Sequence, residues 1–263
     1  MRFVTPKTYF VGYTIINGEG LNSYLEDTGQ TDFLKSVEEA RKEGLSDGEI
    51  LCSFYAKLCY SSLVMGKNKN ITKTRDIVDN LASVIDTGHG SVLEHCELNF
   101  VTTNCSRVFT HELVRHRVGT AFSQTSGRYV RTDEIGLVYD PILDPVKEEI
   151  QQAVEFLEQT YKKMEVKLDL ANLKDFNIKK KLTSAMRRIL PNGQSNEIGF
   201  SLNLRSLRHL ISLRTSVHAE YEIRVVFNQV YDLLKLKYPA IFADAQEEEV
   251  GGLRQITFAH NKI

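Results

Sequence analysis

Between Thr110 and Val130 the chain reads THELVRHRVGTAFSQTSGRYV, with three arginines and two histidines set among glycine, serine and threonine. On a helix, residues two apart point in different directions. Arg115 and Arg117, which flank His116, therefore serve one patch only in an irregular segment, where they can converge on or straddle an anion. Guanidinium forks match phosphate oxygens in bidentate fashion, so a phosphorylated ligand is the natural candidate. The plainer reading is a solvated face paired to Glu112 and Asp133. In the second half of the stretch, an extended backbone would turn Gln124, Ser126 and Arg128 to one face. An amide, a hydroxyl and a guanidinium on one face suit a base or sugar plus a phosphate, although a polar edge strand shows the same pattern.

A further cluster lies in NLRSLRHLISLRTSVHAEYE. Asn203, Arg205, Arg208, His209 and Arg214 fall on or near one helix, with Leu204, Leu207, Leu210 and Leu213 available for the core. Arg205 and His209 are four apart and share a face. Arg214 closes the apolar run, where a cation complements the helix C-terminus, and that role competes with ligand binding. The stretch GHGSVLEHC offers His89, Ser91, Glu94, His95 and Cys96. Its content mimics a metal site, but its spacing does not supply the paired ligands of a zinc finger, and no metal is expected. Ser91 followed by Glu94 instead fits a capping box.

These residues need elements to hold them. Residues 8–16 read as a strand ended by Asn17-Gly18, and 97–103 alternates as a second strand. Helical spacing covers 32–43, 47–62 and 72–85, the last closed by Gly88. A helix from about Ser106 runs into the arginine motif, and Gly119 argues for a break after Arg117. Pro141 and Pro145 precede a long helix over about 146–168. Another covers 175–189, with Asp175 as candidate N-cap and LPNGQ as its stop. Residues 197–203 suit a strand, and helices follow over about 204–213 and 219–238. Strands and long helices mixed in this way indicate one α/β (mixed α+β) domain over residues 1–263.

Composition narrows the function. The chain of 263 residues carries 33 Lys and Arg against 34 Asp and Glu, so no bulk polycation exists to hold nucleic acid. Anion binding must come from local clusters. The opening residues lack the apolar stretch of a signal peptide, no run approaches a membrane span, and a soluble cytoplasmic protein is expected. Cys52, Cys59, Cys96 and Cys105 form no CxxC pair and read as reduced thiols.

Taken in order, HGSVLEH, ELVRHR, SQTSGRYV, MRRILP and NLRSLRHLISLR resemble the motifs of flavin-dependent thymidylate synthases, over about residues 56–243. Residues 1–45 carry no recognisable part of the pattern. The resemblance implies a central, mainly antiparallel sheet flanked by long helices, in a homotetramer whose active sites are shared between subunits. It implies FAD as cofactor, NADPH and 5,10-methylenetetrahydrofolate as co-substrates, and C5 methylation of dUMP to dTMP with release of tetrahydrofolate. Methylation of UMP and hydroxymethylation of dUMP on the same fold are the alternatives, and a nucleic-acid-binding protein is a remote one. Cysteine-dependent thymidylate synthases attack with a cysteine that follows proline; none of the four cysteines here does.

By motif, Ser91, Arg115, His116, Arg117, Gln124, Asn203, Arg205 and His209 correspond to FAD-binding positions. Glu112, Arg115, Gln124, Thr125, Ser126, Gly127, Arg128, Arg187 and Arg214 correspond to the dUMP site. Arg214 matches the arginine that polarises the uracil as N3 ionises, and Ser126 is its catalytic companion. One departure stands out. The family pattern places seven residues between RHR and its serine, whereas eight, VGTAFSQT, precede Ser126 here. SGRYV anchors the register, so the extra residue is expected within VGTA.

Overall fold

In the computed structural model, which describes residues 1–131 and 134–260, the chain begins with strands β1 (Arg2–Val4) and β2 (Lys7–Tyr13). Four helices follow: α1 (Gly18–Asp27), α2 (Phe33–Lys42), α3 (Asp47–Cys59) and α4 (Ile77–Asp86). A 3₁₀ turn at Gly90–His95 leads into β3 (Glu97–Ser106), then α5 (Arg107–Leu113), β4 (Thr120–Gln124) and β5 (Gly136–Val138). Helices α6 (Lys147–Lys167) and α7 (Phe176–Met186) precede β6 (Ser195–Asn203), α8 (Leu204–Arg214) and α9 (Tyr221–Leu234). Strands β7 (Ala245–Val250) and β8 (Leu253–Phe258) form a closing hairpin.

The central sheet has the order β2-β3-β6-β4, antiparallel throughout. Alternation decides its two faces. Leu98, Phe100 and Thr102 of β3 pair with Leu202, Phe200 and Ile198 of β6, and all six are buried. The Phe100 and Phe200 rings stack at 5.2 Å between centroids. Helices α5, α8 and α9 pack on this sheet, and Phe109, Leu204, Leu207, Leu210, Ile211 and Phe227 join its core. Each such side chain contributes roughly 1.5–3 kcal/mol on leaving water. Helices α6 and α7 pack together around a smaller cluster of Tyr161, Leu170 and Met186. Among the described residues no helix is long and apolar enough to cross a membrane.

The first 45 residues, outside the motif pattern, are built into this frame. β2 forms one edge of the sheet, β1 pairs in parallel with β5, and Leu25, Phe33, Val37 and Ala40 enter the main core. Several sequence expectations shift. The strand expected over 8–16 is β2 and ends at Tyr13, and Asn17-Gly18 opens a helix: the Asn17 carboxamide accepts the Gly20 N–H at 3.2 Å. The fourth helix starts at Ile77, where Asp76 caps it by accepting the Asp79 N–H at 2.7 Å. The Ser91–Glu94 capping box does not form, because the segment is a 3₁₀ turn and Glu94 is drawn to Arg205 at 2.6 Å. On α8, Ile211 replaces Leu213 in the core, and Leu213 is exposed. Asp175 does cap α7, accepting the Asn177 and Ile178 N–H groups at 2.8 and 3.0 Å.

Candidate active site

The first assembly joins α5 to the end of α8. Arg214, the last residue of α8, donates Nε–H to His116 Nε2 and Nη1–H to Glu112 Oε2, each at 2.9 Å. Glu112 therefore pairs with Arg214 and not with Arg115 or Arg117, as the solvated-face reading required. Asp133, the other partner in that reading, lies outside the described residues. Accepting at Nε2 places the His116 proton on Nδ1. Burial, then the Arg214 cation and the nearby His209, push the His116 pKa down to about 4, so the ring is neutral near pH 7. A guanidinium carries five N–H donors. Two are committed here, leaving three for a ligand oxygen. The helix-terminus role and the ligand role proposed for Arg214 are compatible: the residue sits at the C-terminus with donors to spare.

The second assembly surrounds a cavity of about 630 Å³ beyond the end of β4. Thr125, Gly127 and Arg187 line it, joined by Arg107 and Arg188. Among the described residues, no carboxylate pairs with Arg107, Arg187 or Arg188, whereas Arg2 and Arg131 on the same rim pair with Glu134 and Glu165. Arg107 Nη2 lies 3.1 Å from His111 Nε2, and guanidinium groups without a carboxylate partner around a polar hollow make a site for a phosphate or carboxylate. Arg107 and Arg188 were missed from sequence. Arg188 stands beside the expected Arg187 in MRRILP, and Arg107 directly follows the N-cap Ser106, so adjacency was the available signal.

The expected alternation of Gln124, Ser126 and Arg128 does not occur. Backbone pairing continues through Thr125, whose N–H reaches the Glu197 carbonyl at 2.9 Å. The chain then turns, with the Tyr129 and Val130 N–H groups both donating to the Ser126 carbonyl. Gln124 points toward α5 and donates to Thr110 Oγ1 at 3.2 Å. Ser126 Oγ accepts the Arg128 N–H at 3.4 Å, and the exposed Arg128 guanidinium lies 6.0 Å from the Tyr129 ring. β4 pairs with β6 without a register shift from Thr120 to Gln124, and the Val118–Gly119 turn joins it to the arginine motif. Gly119 has φ +60°, a conformation that glycine adopts without strain.

The remaining expected flavin residues lie elsewhere on the chain. The helix expected to run into the arginine motif and break after Arg117 instead stops at Leu113, so Arg115 and Arg117 are exposed at the turn after α5. Asn203 is buried and caps α8, accepting the Ser206 N–H at 2.8 Å. Arg205 pairs with Glu94, and exposed His209 borders a hollow beside β8. Ser91 lines a separate cavity of about 600 Å³ with His89 and Tyr60. Exposed His95 stacks on Tyr55 at 3.8 Å between ring centroids, and Cys96 is fully buried. Arg208, grouped with these residues by spacing, is a core residue: it chelates Asp244 at 2.8 and 3.0 Å.

Comparison with known proteins identifies the class. Residues 43–240 match the family model of the thymidylate synthase complementing protein. The chain thus belongs to the flavin-dependent thymidylate synthase family, a family of enzymes. Among its relatives, the flavin-dependent thymidylate synthase of Mycobacterium tuberculosis H37Rv is 33% identical over 221 residues, covering 82% of this chain and 86% of the relative. Those of Mycobacterium marinum and Mycobacterium avium are each 34% identical, with the same coverage.

Proposed function

We propose that this protein is a cytoplasmic, homotetrameric thymidylate synthase whose single domain transfers a one-carbon unit from 5,10-methylenetetrahydrofolate to C5 of dUMP, with FAD as cofactor and NADPH as reductant. The products are dTMP and tetrahydrofolate. The observation that carries this reading is the cavity at the end of β4, where Arg107, Arg187 and Arg188 face a polar hollow with no carboxylate partner among the described residues. Its donor set fits a nucleotide phosphate. Thr125, Ser126, Gly127 and Arg128 border the same turn, with Gln124 behind it, and hold the sugar and base.

The exposed arginines of the RHR turn suit the diphosphate of FAD. Ser91, His116, Asn203, Arg205 and His209 complete the flavin surface. Bound and reduced, FAD supplies the hydride for the transfer. The chain's own share is position and electrostatics. Arg214 is always charged and is aimed by Glu112 and His116, so its free N–H groups hold a uracil oxygen as N3 loses its proton. These groups are distributed over separate surfaces of one protomer, which accords with active sites completed by neighbouring subunits. The outward row Tyr9, Val11, Tyr13 and Ile15 is exposed apolar surface that such neighbours would cover.

The test is the mass of the pyrimidine product when purified protein, FAD, NADPH and the folate are given dUMP or UMP. A gain of one methyl on dUMP is expected. Methylated UMP or hydroxymethylated dUMP would establish the alternative chemistry. A colourless protein unable to take up FAD but binding oligonucleotides in a salt-dependent manner would overturn the assignment. Arg214→Ala is expected to abolish turnover while the tetramer persists; wild-type turnover would remove Arg214 from the chemistry.

A further inference from the structure

Helix α9 carries two buried charges that the reaction does not use. Glu222 is 3% exposed, and its carboxylate accepts the Ser106 N–H at 2.6 Å on Oε1 and the Ser106 Oγ–H on Oε2. Ser106 caps α5, its Oγ accepting the Phe109 N–H at 3.1 Å. The carboxylate thereby fixes both the start of α5 and the roll of its first turn. Six residues on, α5 presents Glu112, and the chain reaches His116 one turn later. Arg224 points the other way. It donates to the carbonyls of Thr215 at 3.3 Å, Val250 at 2.8 Å and Leu253 at 3.3 Å. Thr215 directly follows Arg214 and caps α8. Residues two apart on a helix diverge by about 200°, so one helix can hold neighbours on opposite sides.

Neither charge has an ion-pair partner among the described residues. A buried, uncompensated charge costs free energy. Ser106 would cap α5 without Glu222, so a placement role accounts for the carboxylate better than helix stabilisation does. Both ends of the Arg214 assembly are thus tied to one rigid helix, and a shift of about 1 Å in either would separate Arg214 from His116.

We propose that Glu222, acting through Ser106, is a positioning residue that keeps Glu112 and His116 in register with Arg214, while Arg224 secures the end of α8. The catalytic part of this inference rests on the function proposed above; the geometric part does not.

The test uses the full-length, FAD-loaded protein with Glu222→Ala, Ser106→Ala, the double variant and Glu222→Gln. Glutamine keeps an acceptor for the Ser106 N–H and a polar contact to Oγ. Misplacement of a catalytic group by about 1 Å costs up to a hundredfold. Glu222→Ala and Ser106→Ala are each expected to lower kcat about tenfold to a hundredfold, with the KM for dUMP within about twofold of wild type. The double variant should be no worse than the worse single, and Glu222→Gln should restore most of the rate. Crystal structures of the alanine variants should show the Arg214–His116 contact lengthened. Multiplicative losses in the double variant, a wild-type kcat, or an unchanged Arg214–His116 contact would overturn the proposal. Should Glu222→Ala not fold, Ser106→Ala and Glu222→Gln supply the same comparison. If wild type makes no dTMP, the proposed function fails, while the crystallographic distance still decides the positioning.

Discussion

Arg208 offers the sharpest separation of scaffold from site within the C-terminal arginine cluster. It is 1% exposed and binds both oxygens of Asp244, the Ile241 carbonyl and the His260 carbonyl, with its guanidinium 4.1 Å from the Phe258 ring centroid. Burial alone would raise the Asp244 pKa, but the Arg208 hydrogen bonds and charge more than offset it and hold the carboxyl below its ordinary value. Arg208→Met keeps the stem's packing and strands Asp244. Breaking a buried pair by removing one partner costs about 3–5 kcal/mol. Two features favour the lower end. Asp244 retains the His260 N–H at 3.1 Å, and Arg208 Nε is already buried without a partner among the described residues.

A loss of about 3 kcal/mol corresponds to a fall in Tm of roughly 6–12 °C for a chain of this size. Scanning calorimetry of the variant, with and without FAD, measures it. Flavin uptake should survive at temperatures where the fold is intact. Arg208→Met with Asp244→Leu should recover most of the loss, since an apolar pair can replace a buried ion pair at little cost. A single variant melting within about 2 °C of wild type, or one that loses flavin without losing stability, would refute the structural assignment of Arg208.

Three further outcomes are expected. A Cβ at Gly119 would lie 2.0 Å from Asn203 Nδ2 and 2.8 Å from Ser206 Oγ, at a φ of +60°; Gly119→Ala should therefore cost about 1–3 kcal/mol, read as a lower urea midpoint. Cys52, Cys96 and Cys105 are buried, with thiol pKa values pushed up by desolvation, to about 12 for Cys96 and Cys105. A thiol reagent should thus titrate Cys59 alone until the protein is unfolded. Unfolded His116 binds a proton below its ordinary pKa of 6.5, but the folded ring resists protonation to about 4, so its contribution to stability falls as pH drops through that window. Glu222, raised to about 7 chiefly by burial, acts in the opposite sense, losing stability as pH rises from 4.5 to about 7. His116→Gln isolates the first effect: relative to wild type, its urea midpoint should improve between pH 7 and pH 5, and an unchanged difference would contradict it.

What could be read from sequence follows the range of the interactions involved. Helix caps and alternation are local, so the Asp175 cap and the strands around Phe100 and Phe200 were legible, whereas the helix before the arginine motif ends at Leu113, short of the expected break after Arg117. Helix α1 was hidden because Gly18 and Gly20 depress helix propensity in the turn that Asn17 caps. The closing hairpin was hidden by AQEEEV, whose outward acids show no alternation, although Gly251-Gly252 marked its turn. Arg208 and Arg214 have the same sequence setting. Only Asp244, 36 residues beyond Arg208, and Glu112, 102 residues before Arg214, distinguish them. Motif resemblance put Glu112 and Arg214 in one expected site but gave neither their pairing nor the partner Asp244.

The partners of Arg214 determine what help it can give to chemistry. Paired with Glu112 and touching a neutral His116, the assembly has no net charge. A protonated His116 would repel the guanidinium and remove the acceptor that orients Nε, so the depressed pKa and the hydrogen bond sustain each other. Under the proposed function, attraction of an anionic substrate from solution then falls to arginines without carboxylate partners, such as those of the cavity beyond β4. Under the same function Arg214 would act through direction, its remaining N–H groups meeting a uracil oxygen as charge develops there. Lysine at this position would keep the charge but lose the fork that contacts Glu112 and His116 at once. Arg214→Lys is accordingly expected to bind dUMP nearly as well as wild type, while its kcat falls about 10²–10³-fold; retention of kcat would show that charge alone suffices.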